Sequence, residues 1–238
     1  MLPVRSVLVD FDGTACTVDV TAAMLATFGE PTWHDYDLAF ARGDIGLREA
    51  IQAQDRMLNA DRDTLTGFAL EHGVLDPTFA PFVDWCERQE LDVAIVSDGF
   101  AFYIEPLLSA AGLGHLTVIT NEQRWRGGRP DGMRFVNAHP VCVGCGTCKM
   151  QAVLTYRERG PVAFVGEGQT DRWAALYADV TFAKLTLVEF CRRDGVPFVP
   201  WDDFDDVRGA LETMTDLPGP VAPVQCPGWT VPQSFPPG

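Results

Sequence analysis

The chain has 238 residues, 47% of them apolar, and a formal net charge of −15. This length suits one large domain, or one domain carrying a substantial insertion. The acidic balance argues against a nucleic-acid partner, whose phosphates need clustered Lys and Arg, and no apolar run is long enough to span a membrane.

The first residues run directly into a strand, so a cytoplasmic location without a secretory signal is expected. Residues 4–13 read as a buried parallel strand, Val7-Leu8-Val9, that delivers Asp10-Phe11-Asp12-Gly13-Thr14 at its end. Side chains alternate along a strand, so Asp10 and Asp12 leave it pointing the same way. Two carboxylates so close repel unless a cation sits between them or one holds a proton. Residues 19–75 are polar, with apolar positions at helical spacing, such as Met24, Leu25 and Phe28, or Ile45, Leu47 and Ile51. This segment is expected to be a helical insertion.

Strand and helix then alternate. Helices are expected over 82–88, 101–111, 149–159 and 170–177, and strands over 92–97, 116–120, 162–165, 180–183 and 196–199, with a hairpin through 133–136. The pattern predicts an α/β fold: a Rossmann-like, doubly wound parallel sheet. The expected units are a core over 1–16 and 80–212, a helical cap over 17–79, and a Pro-rich tail over 213–238. From Asp216 onward, seven prolines in 23 positions oppose regular structure. Trp229 and Phe235 are candidate anchors for that tail.

In an open parallel sheet, ligands bind beyond the carboxyl ends of the strands. The residues there form one candidate site: Asp10 and Asp12; Ser97, Asp98 and Gly99; and Glu167 to Asp171, with Lys149 opening the helix before that last strand. Asp10 would attack phosphorus, and Asp12 would give and take protons. Ser97 would hold a phosphoryl oxygen, and Lys149 would offset developing negative charge. Mg²⁺ prefers hard oxygen ligands, which makes Asp10, Asp12, Glu167 and Asp171 its candidate set. Thr14, Asp98 and Gly99 border the same edge as candidate substrate-binding positions.

Asp10-Phe11-Asp12-Gly13-Thr14, Ser97, Lys149 and Gly166-Glu167-Gly168-Gln169-Thr170-Asp171 resemble, in order, the four motifs of the haloacid dehalogenase-like phosphatases. The resemblance implies Mg²⁺ dependence, a covalent phosphoaspartate, Asp10 as nucleophile and Asp12 as general acid/base. The insertion after the first motif resembles the cap of the phosphoserine phosphatase branch, in which an acidic residue at the position of Asp19 binds the substrate amine. The alternative for Asp19 is a helix N-cap. Arg42-Gly43-Asp44-Ile45-Gly46-Leu47-Arg48-Glu49 and the Cys-rich approach to Lys149 are similar to methionine-salvage phosphatases acting on a hydroxy-keto-methylthiopentenyl phosphate. Arg42 and Arg48 are candidate substrate contacts, with exposed ion pairs as the alternative. The family usually carries Asp where this chain has Glu167, which leaves open whether Glu167 or Asp171 ligates the metal.

His139, Cys142, Cys145 and Cys148 recur every third residue. They fit a Zn²⁺ ligand set, a group of free thiols, or a reversible disulfide whose formation would displace Lys149. Trp33, Trp85, Trp173 and Trp201 are expected to pack rather than bind. The expected activity is a Mg²⁺-dependent phosphomonoesterase acting on a small phosphorylated metabolite. The alternatives are a catalytically weak sensor of a phospho-ligand or metal, and a phosphotransferase; the sequence sets no oligomeric state.

Overall fold

The computed structural model describes residues 2–221 and Cys226. Seven strands form one sheet in the order β4-β3-β2-β1-β5-β6-β7. The strands are β1 (Ser6–Val9), β2 (Asp92–Phe100), β3 (Thr117–Arg126), β4 (Arg129–Arg134), β5 (Val162–Gly166), β6 (Val180–Ala183) and β7 (Val199–Pro200). All neighbours run parallel except the antiparallel β3–β4 pair. Chain order reverses on either side of β1, so the carboxyl edge at β1 is the crevice where such sheets bind ligands.

Five helices lie between β1 and β2, and the first four are α1 (Val20–Phe28), α2 (Trp33–Arg42), α3 (Leu47–Met57) and α4 (Arg62–His72). Asp19 caps α1 by accepting from the Ala22 N–H at 2.8 Å, and Asp61 caps α4 through the Thr64 N–H at 2.9 Å. Residues 20–72 thus carry four helices and no strand of the sheet. The remaining helices are α5 (Phe79–Arg88), α6 (Ala101–Ala110), α7 (Lys149–Arg157), α8 (Arg172–Tyr177), α9 (Leu185–Asp194) and α10 (Phe204–Thr213). They cover the sheet as its doubly wound pattern requires. Among the described residues, no helix is long and apolar enough to cross a membrane.

Both faces of the central strands are buried. Val7, Val9, Ile95, Val165 and Phe182 face one cluster with Phe79, Phe82, Tyr103 and Phe204, while Leu8, Ala94, Val96 and Phe164 face the other with Val153 and Ala174. Phe204 is fully buried, its ring 4.8 Å from that of Phe79 and 5.2 Å from that of Trp201. Phe204→Ala should cost about 3–5 kcal/mol, read as a lower urea midpoint with little change in slope.

Three sequence expectations are corrected. The hairpin lies earlier than 133–136, because Gly127 and Gly128, at φ +57° and +83°, reverse the chain between β3 and β4. The last strand is only Val199–Pro200; the Val196 N–H bonds to the Cys191 carbonyl, which commits the start of the expected strand to the end of α9. The expected helix over 170–177 opens as a 3₁₀ turn, Gln169–Asp171. Of the tail, Trp229 and Phe235 lie outside the described residues.

Candidate active site

Register brings the strand ends together. Val9 pairs with Ile95 on one side and Val165 on the other, so Asp10 emerges beside Ser97 and Gly166. The Asp10 N–H donates to the Val165 carbonyl at 2.9 Å, which continues the pairing into the turn. Gly13 follows at φ +75°, and a Cβ there would lie 3.0 Å from the Glu167 carboxyl carbon. Glycine thus serves both the left-handed turn and the close approach of Glu167.

A cavity of about 230 Å³ opens between this edge and the helical insertion. Asp10, Asp12, Ser97, Lys149 and Glu167 line its floor; Asp19, Leu25, Trp33, Asp37, Leu47, Ile51 and Gln54 line the helical side. Lys149, itself buried, donates to Asp10 Oδ1 at 2.6 Å and to Asp171 Oδ1 at 2.7 Å. The other Asp171 oxygen accepts from the Glu167 and Gly168 N–H groups at 2.9 and 3.0 Å. Both oxygens of this fully buried carboxylate are engaged, whereas Glu167 faces the cavity.

Asp12 Oδ2 accepts from the Tyr103 hydroxyl at 2.5 Å, and Oδ1 accepts from the Val20 N–H at 3.0 Å. Burial, joined by the charge of Asp19, pushes Asp12 up to about 7 despite those donors. A carboxyl titrating near neutrality suits proton transfer in both directions. Gly99 permits this arrangement, since a Cβ there would lie 1.9 Å from Tyr103 Oη and 3.0 Å from Asp12 Oδ2. Tyr103→Phe removes a donor to ionised Asp12, so its pKa should rise. The alkaline limb of the kcat/KM profile should move to higher pH, read by initial rates across a pH series.

Burial and the charge of Asp171 raise Asp10 well above the carboxylate range, against the pull of Lys149. Burial works against the Lys149 ammonium, but Asp10, Asp171 and Asp98 outweigh it and hold its pKa up. Burial also raises Glu167, and pushes Asp98 up to about 6. One lysine therefore does not neutralise the site. Among the described residues, no three His, Cys, Asp or Glu side chains converge at metal-holding distance. Mg²⁺ does not require that: it takes one or two carboxylates, several waters and substrate phosphate. The hard-oxygen donors and uncompensated negative charge of Asp10 and Glu167 fit such an ion.

The remaining candidates divide. The Thr14 hydroxyl donates to Asp10 Oδ2 at 3.5 Å, and the Ser97 hydroxyl accepts from the Gly99 N–H at 3.0 Å. Asp98 lines the cavity but also accepts the Thr147 N–H at 3.0 Å, which fixes the loop before Lys149. Asp19 caps α1 and also lines the cavity.

Arg42 and Arg48 are not brought into the cavity. Arg42 pairs with Asp44 on the surface at 2.7 Å, while Arg48 donates to the Cys145 and Cys142 carbonyls and lies over the Phe135 ring. Trp33, expected only to pack, borders the cavity. Tyr103, Asp37 and Gln54 were absent from the sequence candidates. Tyr103 stands one helical turn beyond the β2 end, a placement that could have marked it. Asp37 and Gln54 meet at 2.6 Å from different helices, which no sequence spacing reports.

The parallel sheet, its acidic switch point and the buried lysine define an α/β fold with a polar site at the carboxyl edge of its strands. The sequence pattern of the haloacid dehalogenase-like hydrolases matches residues 7–175, and the chain belongs to that family. It is 25% identical to a 2-hydroxy-3-keto-5-methylthiopentenyl-1-phosphate phosphatase of Bacillus velezensis, over 89% of this chain and 91% of the relative. It is 27% identical to a protein of the same description from Brevibacillus brevis, over 86% of this chain and 94% of that one. It is also 27% identical to the bifunctional enzyme MtnB/MtnX of Bacillus licheniformis, of which it spans 50%. Phosphoserine phosphatase from T. onnurineus shares the fold, with a TM-score of 0.69 at 15% identity over 89% of this chain and 96% of that one. A phospho-aspartyl intermediate analogue of phosphoserine phosphatase gives 0.65 at 16% identity, over 89% and 99%.

Proposed function

We propose that this enzyme hydrolyses a small phosphomonoester in two steps through a phosphate ester on Asp10. The observation that carries the reading is the division of labour in one turn: Asp10 is held by Lys149 at 2.6 Å, while Asp12, two residues on, is held by Tyr103 and titrates near neutrality. In the first step an Asp10 oxygen forms a bond to phosphorus, the phosphorus–alkoxide bond breaks, and protonated Asp12 gives its proton to the departing oxygen. In the second step Asp12, now ionised, takes a proton from water, whose oxygen displaces Asp10 from phosphorus. Lys149 offsets charge on Asp10 and on the phosphoryl oxygens, and Asp171 fixes that ammonium from behind. Ser97 offers a hydroxyl to a phosphoryl oxygen. Asp10 and Glu167 are the residues that would hold Mg²⁺, which when bound neutralises phosphoryl charge.

The helical side of the cavity supports a choice of substrate. Leu25, Trp33, Leu47 and Ile51 supply apolar surface, and Asp19, Asp37 and Gln54 supply polar groups. Among the described lining residues, Lys149 alone is basic. A leaving group bearing its own carboxylate or second phosphate would meet carboxylates there without a cation to receive it. The substrate named for the methylthiopentenyl phosphate phosphatases has no second anionic group and an apolar methylthio end. We infer a substrate of that kind. With Mg²⁺, phosphate release from 2-hydroxy-3-keto-5-methylthiopentenyl-1-phosphate should exceed that from phosphoserine by at least about 10²-fold in kcat/KM, and chelation should stop both. Preference for phosphoserine would overturn the substrate reading, and undiminished release after chelation would overturn the metal.

A further inference from the structure

A second, smaller cavity lies behind the loop that delivers Lys149. It measures about 10 Å³ and is lined by His139, Cys142, Cys145, Cys148, Met150 and Cys226. That is room on the order of a single atom or ion. Four thiols around so small a space are the donors that a tetrahedral soft-metal site requires. We propose that Cys142, Cys145, Cys148 and Cys226 bind one Zn²⁺ ion, closing a structural site that fixes the loop before Lys149.

The loop's hydrogen bonds support this set. The Gly144 N–H donates to Cys142 Sγ at 3.4 Å, a turn that places a backbone dipole on a sulfur that must carry negative charge. Cys145 closes the same turn, in the run Cys142-Val143-Gly144-Cys145-Gly146. Arg48, from α3, braces it from the helical side. Its Nε donates to the Cys145 carbonyl at 2.9 Å, and its backbone N–H donates to the Gly144 carbonyl at 3.1 Å. A guanidinium at this place also offsets the net negative charge of a tetrathiolate zinc site.

The proposed set differs from the sequence expectation in one ligand. His139 Nδ1 accepts the Val141 and Cys142 N–H groups at 3.2 and 3.1 Å, so its ring hydrogen is on Nε2 and neither nitrogen offers a lone pair to a metal. His139 shapes the loop, and Cys226, from far along the chain, takes its place. Among the described residues, no cysteine forms a disulfide. Among the described residues, no three such groups converge at liganding distance as they stand. Binding therefore requires the thiols to rotate inward, with release of their protons as Zn–S bonds form. Because Lys149 follows Cys148 directly and opens α7, the ion would set where that helix begins.

The test is metal analysis of the full chain, purified under reducing conditions without added metal. About one zinc per chain is expected, and Co²⁺ replacing it should give the near-ultraviolet absorption of thiolate-to-cobalt charge transfer. Cys142→Ser and Cys226→Ser should each lower bound zinc at least tenfold at equal protein concentration, whereas His139→Gln and Asp10→Asn should retain it. Wild-type protein with under a tenth of an equivalent of zinc and no cobalt–thiolate band would overturn the site, and these two readouts need no variant to fold. Iron in place of zinc, a Cys142–Cys145 disulfide in the reduced preparation, or full zinc in Cys226→Ser would each overturn the assignment as stated. Loss of the metal in Asp10→Asn would place it in the catalytic cavity instead.

Discussion

Asp10→Asn should abolish phosphate release, lowering kcat by at least about 10³-fold with any phosphomonoester. An amide keeps the shape of the carboxylate but lacks the electron density to attack phosphorus. The loss should not come from unfolding. Burial and Asp171 hold the Asp10 pKa up, so an ionised carboxylate there is costly to the fold, and an amide removes that cost. The bond from Lys149 to Asp171, 2.7 Å in the wild type, does not involve Asp10 and should persist in the variant. The thermal midpoint should therefore stay level or rise while activity vanishes. Calorimetry beside a phosphate-release assay reads both. A variant that keeps wild-type kcat, or loses activity only as its midpoint collapses, would contradict this account.

Asp12→Asn should give the second largest effect, and its size should depend on the leaving group. With an alkyl phosphate the departing alkoxide needs a proton, and kcat should fall about 10²–10⁴-fold. With para-nitrophenyl phosphate the leaving group departs without one, so the first step should survive and the second should not. Stopped-flow absorbance should then show a burst approaching one nitrophenolate per enzyme, followed by slow turnover. Equal losses with both substrates and no burst would assign Asp12 a different role. The wild-type pH profile carries the same signature. Burial and Asp19 push Asp12 up to about 7, and its protonated fraction falls above that pH. Turnover of alkyl phosphates should therefore decline on the alkaline side, and para-nitrophenyl phosphate should show less of that decline in its first step.

The parts legible in the sequence are those where a strong local pattern met a global rule. The apolar run of β1 ending in Asp10 and Asp12, and the alternation of strand and helix, sufficed for the parallel sheet and for gathering Ser97, Lys149 and Glu167 at one edge. Other features depended on signals that were present but unread. Phe204, Val207 and Leu211 stand at helical spacing behind the capping Asp203, and together they make α10. Leu187 and Cys191 mark α9 in the same way. A third group had no local signal. Trp33, Asp37 and Gln54 reach the cavity only because α2 packs on α3, and Cys226 reaches the thiol cluster from 78 positions beyond Cys148. Arg48 looked like a substrate contact because arginine suits phosphate. Its guanidinium is instead taken by the carbonyls of the cysteine loop.

The most direct test is acid quenching of Asp12→Asn during turnover of para-nitrophenyl phosphate with Mg²⁺, followed by peptide mass spectrometry. A phosphoryl group on the peptide from the β1 end, mapped by fragmentation to position 10, is the expected result. Phosphoryl on any other side chain, or an unmodified protein at every quench time while nitrophenolate is released, would contradict it.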